Sequence, residues 1–354
     1  MRVLLIKTSS MGDVIHTLPA LTDAQKAIAG ITFDWVVEEG FAEIPAWHPA
    51  VAEVIPVAIR RWRKNLFEAW RSGEWRRFKS RLRSGRYDLV IDAQGLLKSA
   101  WLTRYAQAPV VGLDQSSARE GLASRFYDRG LNVPWGQHAV ERVRQLFAQS
   151  LGYSVPDGTG EYGLNSRYLL GNAATTPYIM FLHGTTWESK HWPEMYWREM
   201  AEWAAARGLT VQLPWGNDAE KARADKIARG LDNVQVLPRM SLAGMAKILA
   251  GASACVAVDT GLGHLAAALD IPTISLFGPT NPGFTGAYGS AQIHLASDFP
   301  SCAPCLNKRC TYQPTPEDAR EFDLRYEQPL CFTQLNPGRV QRELEALLQE
   351  KRVL

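Results

Sequence analysis

Residues 254–269, ACVAVDTGLGHLAAAL, run an apolar, strand-forming stretch straight through a glycine-rich turn into a helix of small residues. A strand that passes through glycine into a helix is the repeating half-unit of parallel α/β construction. Working outward from this stretch, the same pattern recurs along the chain. In the C-terminal half, strands are expected at 178–183, 209–215, 233–238, 254–259 and 272–278, with helices near 194–207, 218–231, 242–250 and 262–269. In the N-terminal half, strands are expected at 3–7, 33–37, 52–59, 87–93 and 110–113, with helices at 14–28 and 138–151. Between Pro156 and Pro177 the periodicity fades into a stretch holding four Gly and two Pro, the best place for a domain boundary. The expectation is an α/β protein with Rossmann-like domains at 1–165 and 175–335, facing a central cleft. A helical tail at 336–354 is placed to pack back on the N-terminal domain.

The composition supports this reading. The chain has 354 residues, 46% apolar and 21% charged, enough for two cores and too apolar for a disordered chain. The opening MRVLLIK is too short for a signal-peptide core, and no apolar run reaches the roughly 20 residues of a membrane span. With five cysteines and no export signal, the expectation is a reducing cytoplasmic setting. The net charge of +3 is unevenly spread: residues 60–86 carry eleven Lys and Arg against Glu68 and Glu74. Such a block draws a polyanion, whether nucleic acid, anionic lipid or a phosphorylated glycolipid. Trp62, Phe67, Trp70, Trp75 and Phe78 lie among the charges, either facing the core or meeting an interfacial partner.

In open α/β sheets ligands gather at the strand-to-helix loops. TSSMGD at 8–13 offers small residues, Ser10 and Gly12 among them, and ends in Asp13, which either caps the helix or projects a basic carboxylate. HGTTWESKHWP at 183–193 brings Thr185, Thr186 and Lys190 to a helix start, a combination suited to a diphosphate. In 259–269 the N–H groups of Thr260, Gly261 and Leu262 open a helix and are available to an anion. GLGHLA at 261–266 matches a dinucleotide fingerprint, but it follows the fourth strand of its domain, where that fingerprint does not belong. His264 fits a packed histidine as well as a ligand contact. Glu220, one turn into its helix, is placed to accept from a ribose diol.

Taken together, KTSSMGDVIHTLPAL at 7–21, RRWRK at 60–64, IDAQGLLKSA at 91–100, KHWP at 190–193, LPWG at 213–216, LPRMSL at 237–242, VDTGLGHLAAAL at 258–269 and FGPTNP at 277–282 resemble the glycosyltransferase family 9 heptosyltransferases. The likeness runs from residue 1 to about 290. It implies a GT-B fold and an inverting, metal-independent transfer of L-glycero-D-manno-heptose from ADP-heptose, with no cofactor besides that donor. The acceptor it implies is Kdo2-lipid A, met at the inner face of the cytoplasmic membrane, and no nucleic acid. By matching position, Asp13 is the general base and Lys190 steadies the leaving diphosphate. Thr185, Thr186, Thr260, Gly261 and Leu262 line the phosphates, Glu220 holds the ribose, Met240 meets adenine, Asp259 faces the heptose and His264 joins the donor set. Ser10, Arg60, Arg61, Arg63, Lys64 and Arg119 meet the acceptor. The alternatives are a family member using a heptosylated acceptor and, more remotely, a non-catalytic nucleotide or polyanion binder.

The tail departs from the family pattern. Cys302, Cys305, Cys310 and Cys331 form C-x2-C-x4-C-x20-C, whose first pair has zinc-ligand spacing while the second half is irregular. The residues leave open a structural zinc site or four reduced thiols.

Overall fold

The computed structural model describes residues 1–164, 176–299, 302–321 and 329–350. The chain divides into two compact units, Met1–Tyr168 and Leu169–Leu354. The centre of the expected linker, 165–175, lies outside the described residues.

The first unit is built on six strands: β1 (Arg2–Ile6), β2 (Thr32–Glu38), β3 (Val51–Val57), β4 (Leu89–Asp92), β5 (Val110–Leu113) and β6 (Arg129–Leu131). They form one parallel sheet in the order β3-β2-β1-β4-β5-β6. Val3, Leu4, Leu5 and Ile6 are wholly buried, which explains why β1 reads as an unbroken apolar run: helices cover both faces of a parallel sheet. The second unit repeats the plan with β7 (Tyr178–Leu182), β8 (Thr210–Leu213), β9 (Val234–Val236), β10 (Ala254–Val258), β11 (Thr273–Phe277) and β12 (Gln292–Ala296). Their order is β12-β11-β10-β7-β8-β9, again parallel throughout. Each sheet therefore reverses its winding once, between β1 and β4 and between β7 and β10. Ligands of doubly wound sheets bind at such reversals, beyond the carboxyl ends of the strands.

Three expectations change. The helix expected at 14–28 is two helices, Met11–Ile15 and Leu18–Ala27. Pro19 causes the break, because it has no N–H to give and its ring would collide with the carbonyl of Ile15. The short edge strands β6 and β12 were not anticipated; RGL and QIHLA lack the apolar run that marks buried strands, as edge positions allow. The tail helix, expected to return to the N-terminal domain, instead closes the core of its own unit. It spans Pro337–Glu350 and sets Val340, Leu344, Leu347 and Leu348 against the helix Glu194–Ala205 and strands β10 and β11.

Aromatic packing anchors the start of that neighbouring helix. Trp192 is fully buried, lies edge-on to Trp197 at 4.9 Å, and donates its indole N–H to the carbonyl of Leu335 at 2.8 Å. Truncating such a side chain costs about 3–5 kcal/mol. The loop 183–193, which carries Lys190, thus ends on a fixed post. Among the described residues no helix is long and apolar enough to cross a membrane.

Candidate functional site

In the second unit, the loops that follow β10, β7, β8 and β9 stand side by side, because those four strands are neighbours in the sheet. At the reversal between β7 and β10, Lys190 Nζ lies 2.6 Å from Asp259 Oδ2, with 14% and 9% of the two side chains exposed. Thr185 donates its hydroxyl to the Asp259 carbonyl at 3.0 Å, which ties the loop after β7 to the loop after β10. The Lys190 ammonium also sits 4.2 Å from the centre of the Trp187 ring, a cation–π contact that orients it. Thr186 is exposed on the same loop.

Beside this pair, Thr260 is the N-cap of the helix Gly261–Ala268. The first N–H groups of a helix have no acceptor within it, so Gly261 and Leu262 open a donor-rich terminus toward any anion held by Lys190. His264 is buried in the first turn of the same helix. Glu220 lies in the helix Asp218–Ala228, where Asn217 caps the terminus by accepting the Glu220 N–H at 3.0 Å. Its carboxylate accepts the N–H of Gly216 at 2.7 Å. That carboxylate also rests against Gly184: a Cβ there would come within 2.9 Å of Glu220 Cδ and would push the Glu220 side chain aside. Met240 stands just before Ser241, the N-cap of the helix Leu242–Ala250, and the Trp215 indole donates to the Leu237 carbonyl at 2.7 Å to join the last two loops. Lys190, Glu220 and Met240 thus lie on segments that follow three neighbouring strands, β7, β8 and β9.

The first unit has its own site at the reversal between β1 and β4. Asp13 Oδ2 accepts from the Ser10 N–H at 2.6 Å and the Ser10 hydroxyl at 2.8 Å, and its other oxygen lies 4.0 Å from Lys7 Nζ. The side chain remains 42% exposed, so Asp13 caps its helix and still presents an open carboxylate. Lys7 is buried, which holds its pKa below the usual lysine value, and donates to the Ala93 carbonyl at 2.8 Å. Gln94, at the end of β4, clasps the loop after β1: its carbonyl accepts from Thr8 and Ser9 N–H at 2.9 and 3.2 Å, and its amide donates to the Ser9 carbonyl at 2.7 Å. Lys98 donates to the Ser9 hydroxyl at 3.0 Å, and its pKa is lowered by burial and by the nearby charges of Arg60 and Arg63. Arg119 acts on Lys7 in the same sense, so Arg60, Arg63 and Arg119 lie within electrostatic reach of the lysines beside the Asp13 loop.

Arg61 is engaged differently from its neighbours. It bridges Glu39 at 3.0 Å and Glu74 at 2.9 Å, whereas Arg60 lies over the Phe41 ring and Arg63 and Lys64 are exposed. The aromatic residues of the basic block divide as well. Trp62 and Phe78 are buried, while Phe67 and Trp70 are 69% and 73% exposed and face each other at 6.4 Å.

Sequence reasoning gave no role to Lys7, Gln94, Lys98 or Thr280, whose hydroxyl donates to Asp259 Oδ2 at 2.8 Å. Gln94 had a usable signal, since it stands two residues past the end of the strand at the reversal. The zinc set is corrected. Cys302, Cys305, Cys310 and Cys331 are free thiols, and among the described residues no group of three or more His, Cys, Asp or Glu is placed to hold a metal ion. Cys331 belongs to the second core, where burial pushes its thiol up to about 12, whereas Cys310 is exposed.

The family model of glycosyltransferase family 9 (heptosyltransferase) matches residues 75–315. The chain is 72% identical over 349 residues to the lipopolysaccharide heptosyltransferase 1 of Pseudomonas aeruginosa, covering 98% of each. It is similar to the E. coli heptosyltransferase WaaC solved with ADP, at 56% identity and a TM-score of 0.80 over 83% of this chain and 92% of that one. The same enzyme with ADP-2-deoxy-2-fluoro heptose matches at 55% identity and a TM-score of 0.78, over 84% and 93%. Two parallel Rossmann-like sheets, a row of nucleotide-type loops and these relatives agree, and the chain belongs to glycosyltransferase family 9, the heptosyltransferases.

Proposed function

We propose that this heptosyltransferase moves L-glycero-D-manno-heptose from ADP-heptose onto a Kdo hydroxyl of Kdo2-lipid A, with inversion. The observation that carries the reading is the row formed by the Lys190–Asp259 pair, the helix terminus after Thr260, Glu220 and Met240, four neighbouring loops in the order a nucleoside diphosphate sugar requires. The relative solved with a fluorinated ADP-heptose supports the same donor here. The name of the Pseudomonas relative supports a lipopolysaccharide acceptor.

In this reading the second unit manages the leaving group. As the glycosidic bond to ADP breaks, negative charge grows on the diphosphate; Lys190 and the N–H groups of Gly261 and Leu262 are fixed beforehand where that charge appears. The hydroxyls of Thr185 and Thr186 add donors, Glu220 accepts from the ribose, Met240 meets adenine through its backbone and Asp259 accepts from heptose hydroxyls. The first unit supplies the base. Asp13 takes the proton of the attacking hydroxyl on Oδ1, the oxygen that lies 4.0 Å from Lys7 Nζ, while Ser10 holds Oδ2. Arg60, Arg63, Lys64 and Arg119 receive the acceptor's phosphates, with Arg61 bracing the Ile59–Trp62 helix that carries Arg60.

The exposed Phe67–Trp70 pair, set among arginines, supports a peripheral stay at an anionic membrane face, where aromatic rings settle at the headgroup level. The test of the function is release of ADP from ADP-heptose by the purified chain, measured with and without Kdo2-lipid A. Acceptor-dependent release is expected; release that ignores the acceptor, or none from folded protein, overturns the reading.

A further inference from the structure

The donor-site cation Lys190 sits on a turn gripped by a distant segment. Ser189, buried beside it, donates its N–H to the carbonyl of Lys308 at 3.1 Å and its hydroxyl to the carbonyl of Asn307 at 2.5 Å. The same segment makes a second crossing, where the Leu306 N–H donates to the Pro279 carbonyl at 2.9 Å. Pro279 precedes Thr280, whose hydroxyl holds Asp259. Residues 306–308 therefore bridge the two sides of the Lys190–Asp259 pair, one grip on the turn beneath the cation and one on the loop that fixes the carboxylate. An exposed ion pair from Arg309 to Glu188 at 3.0 Å lies alongside and contributes little.

The bridge is held at a local cost and is anchored beside it. Leu306 takes φ +58°, a conformation unfavourable for a residue with a side chain, and its side chain stays 64% exposed, so burial does not offset the strain. The neighbouring chain is anchored to the second core: Cys302 and Ala303 pack against it, and Cys331 lies so near Gly278 that a Cβ there would come within 2.8 Å of its sulfur. Gly278 directly precedes Pro279, so the anchor and the grip share one turn.

We propose that Ser189 is a positioning residue, held by the carbonyls of Asn307 and Lys308, and that the 306–308 segment is a strap fixing Lys190 and Asp259 at the separation in which a nucleoside diphosphate is bound. The inference rests on the reading of Lys190 as the diphosphate-binding cation. Ser189 has no contact with the ligand in this account; it acts through the ammonium of its neighbour.

The experiment is titration of the full chain with ADP, by calorimetry, for Ser189→Ala, Lys190→Ala, the double variant, Leu306→Pro and Leu306→Gly. Losing the buried hydroxyl's bond is expected to weaken ADP about tenfold. Leu306→Pro, which removes the N–H and cannot take a positive φ, is expected to weaken ADP by several-fold. Leu306→Gly, which keeps both, is expected to leave it within about twofold. In the Lys190→Ala background, Ser189→Ala is expected to add no further loss, because the group it positions is gone. A loss that persists undiminished in that background marks a merely structural role and overturns the proposal. So does unchanged ADP affinity in both Ser189→Ala and Leu306→Pro. If Ser189→Ala does not fold, the exposed Leu306 pair decides alone. Lys190→Ala with parental ADP affinity refutes the donor-site reading itself, a failure separate from that of the strap.

Discussion

Lys190 and Asp259 meet at 2.6 Å where the second sheet reverses its winding, and Thr280 holds the same carboxylate oxygen from the other side. The ammonium is thus neutralised by a fixed anion beside the place assigned to a diphosphate. Asp259 orients the cation and sets a negative charge beside that place.

That double role has a measurable sign. Asp259→Asn removes the negative charge but keeps an acceptor for Lys190 and Thr280. ADP is expected to bind several-fold tighter, because a like charge beside its phosphates is removed. Heptose transfer is expected to fall, because the sugar hydroxyls lose a charged acceptor. Isothermal titration with ADP beside turnover measurements checks both; weaker ADP binding contradicts the placement.

The basic run should not act as a unit. Arg61 is occupied by Glu39 and Glu74, whereas Lys64 is exposed. Lys64→Glu is expected to raise the acceptor KM by about tenfold, the effect of reversing a phosphate contact of roughly 1–2 kcal/mol, with the donor KM unchanged. Arg61→Ala is expected to lower Tm and to change the acceptor KM less. Equal effects on the acceptor KM count against the division.

Phe67 and Trp70 are free to meet a membrane face. Replacing both with alanine is expected to reduce co-sedimentation with vesicles containing anionic phosphatidylglycerol by about tenfold and to leave turnover on a water-soluble acceptor fragment unaltered. Parental sedimentation of the double variant removes the pair from the account.

Low pH should loosen the first unit through His48. The ring nitrogen Nδ1 accepts the Ala50 N–H at 3.1 Å, so the proton resides on Nε2, 3.0 Å from the Thr22 hydroxyl. A second proton would have to sit on Nδ1, facing a donor in a buried site, and burial lowers the folded pKa to about 4. The unfolded value lies near 6.5. The unfolded chain thus binds more protons between these limits, and the stability contributed is complete above about 6.5 and is lost as pH falls toward 4. Thermal melts from pH 7 to 4.5 are expected to show Tm falling more steeply for the parent than for His48→Gln; equal slopes contradict the assignment.

The two-sheet plan was legible because parallel strands buried on both faces leave apolar runs such as YIMFL and ACVAV that need no partner to be recognised. Edge strands β6 and β12 leave no such mark, and Pro19 broke a helix that apolar spacing alone joins. Of the candidate site, the Asp13 and Lys190 loops could be found from strand order and glycine. The pairing of Lys190 with Asp259, the clasp of Gln94 on Ser9 and the grip of Asn307 on Ser189 could not, since each joins residues many tens of positions apart. The cysteine spacing was misleading for the opposite reason: local spacing resembles a ligand set, while the core takes Cys331 for packing.

In the proposed reaction Asp13 removes the acceptor proton while the second unit holds ADP-heptose. The most direct measurement of that role is acceptor-dependent ADP release by Asp13→Ala beside the parent, with ADP affinity measured on both. A fall in kcat of roughly 10²–10⁴-fold, the range of general-base catalysis, is expected with ADP affinity unchanged. Release at the parental rate from the variant would contradict it.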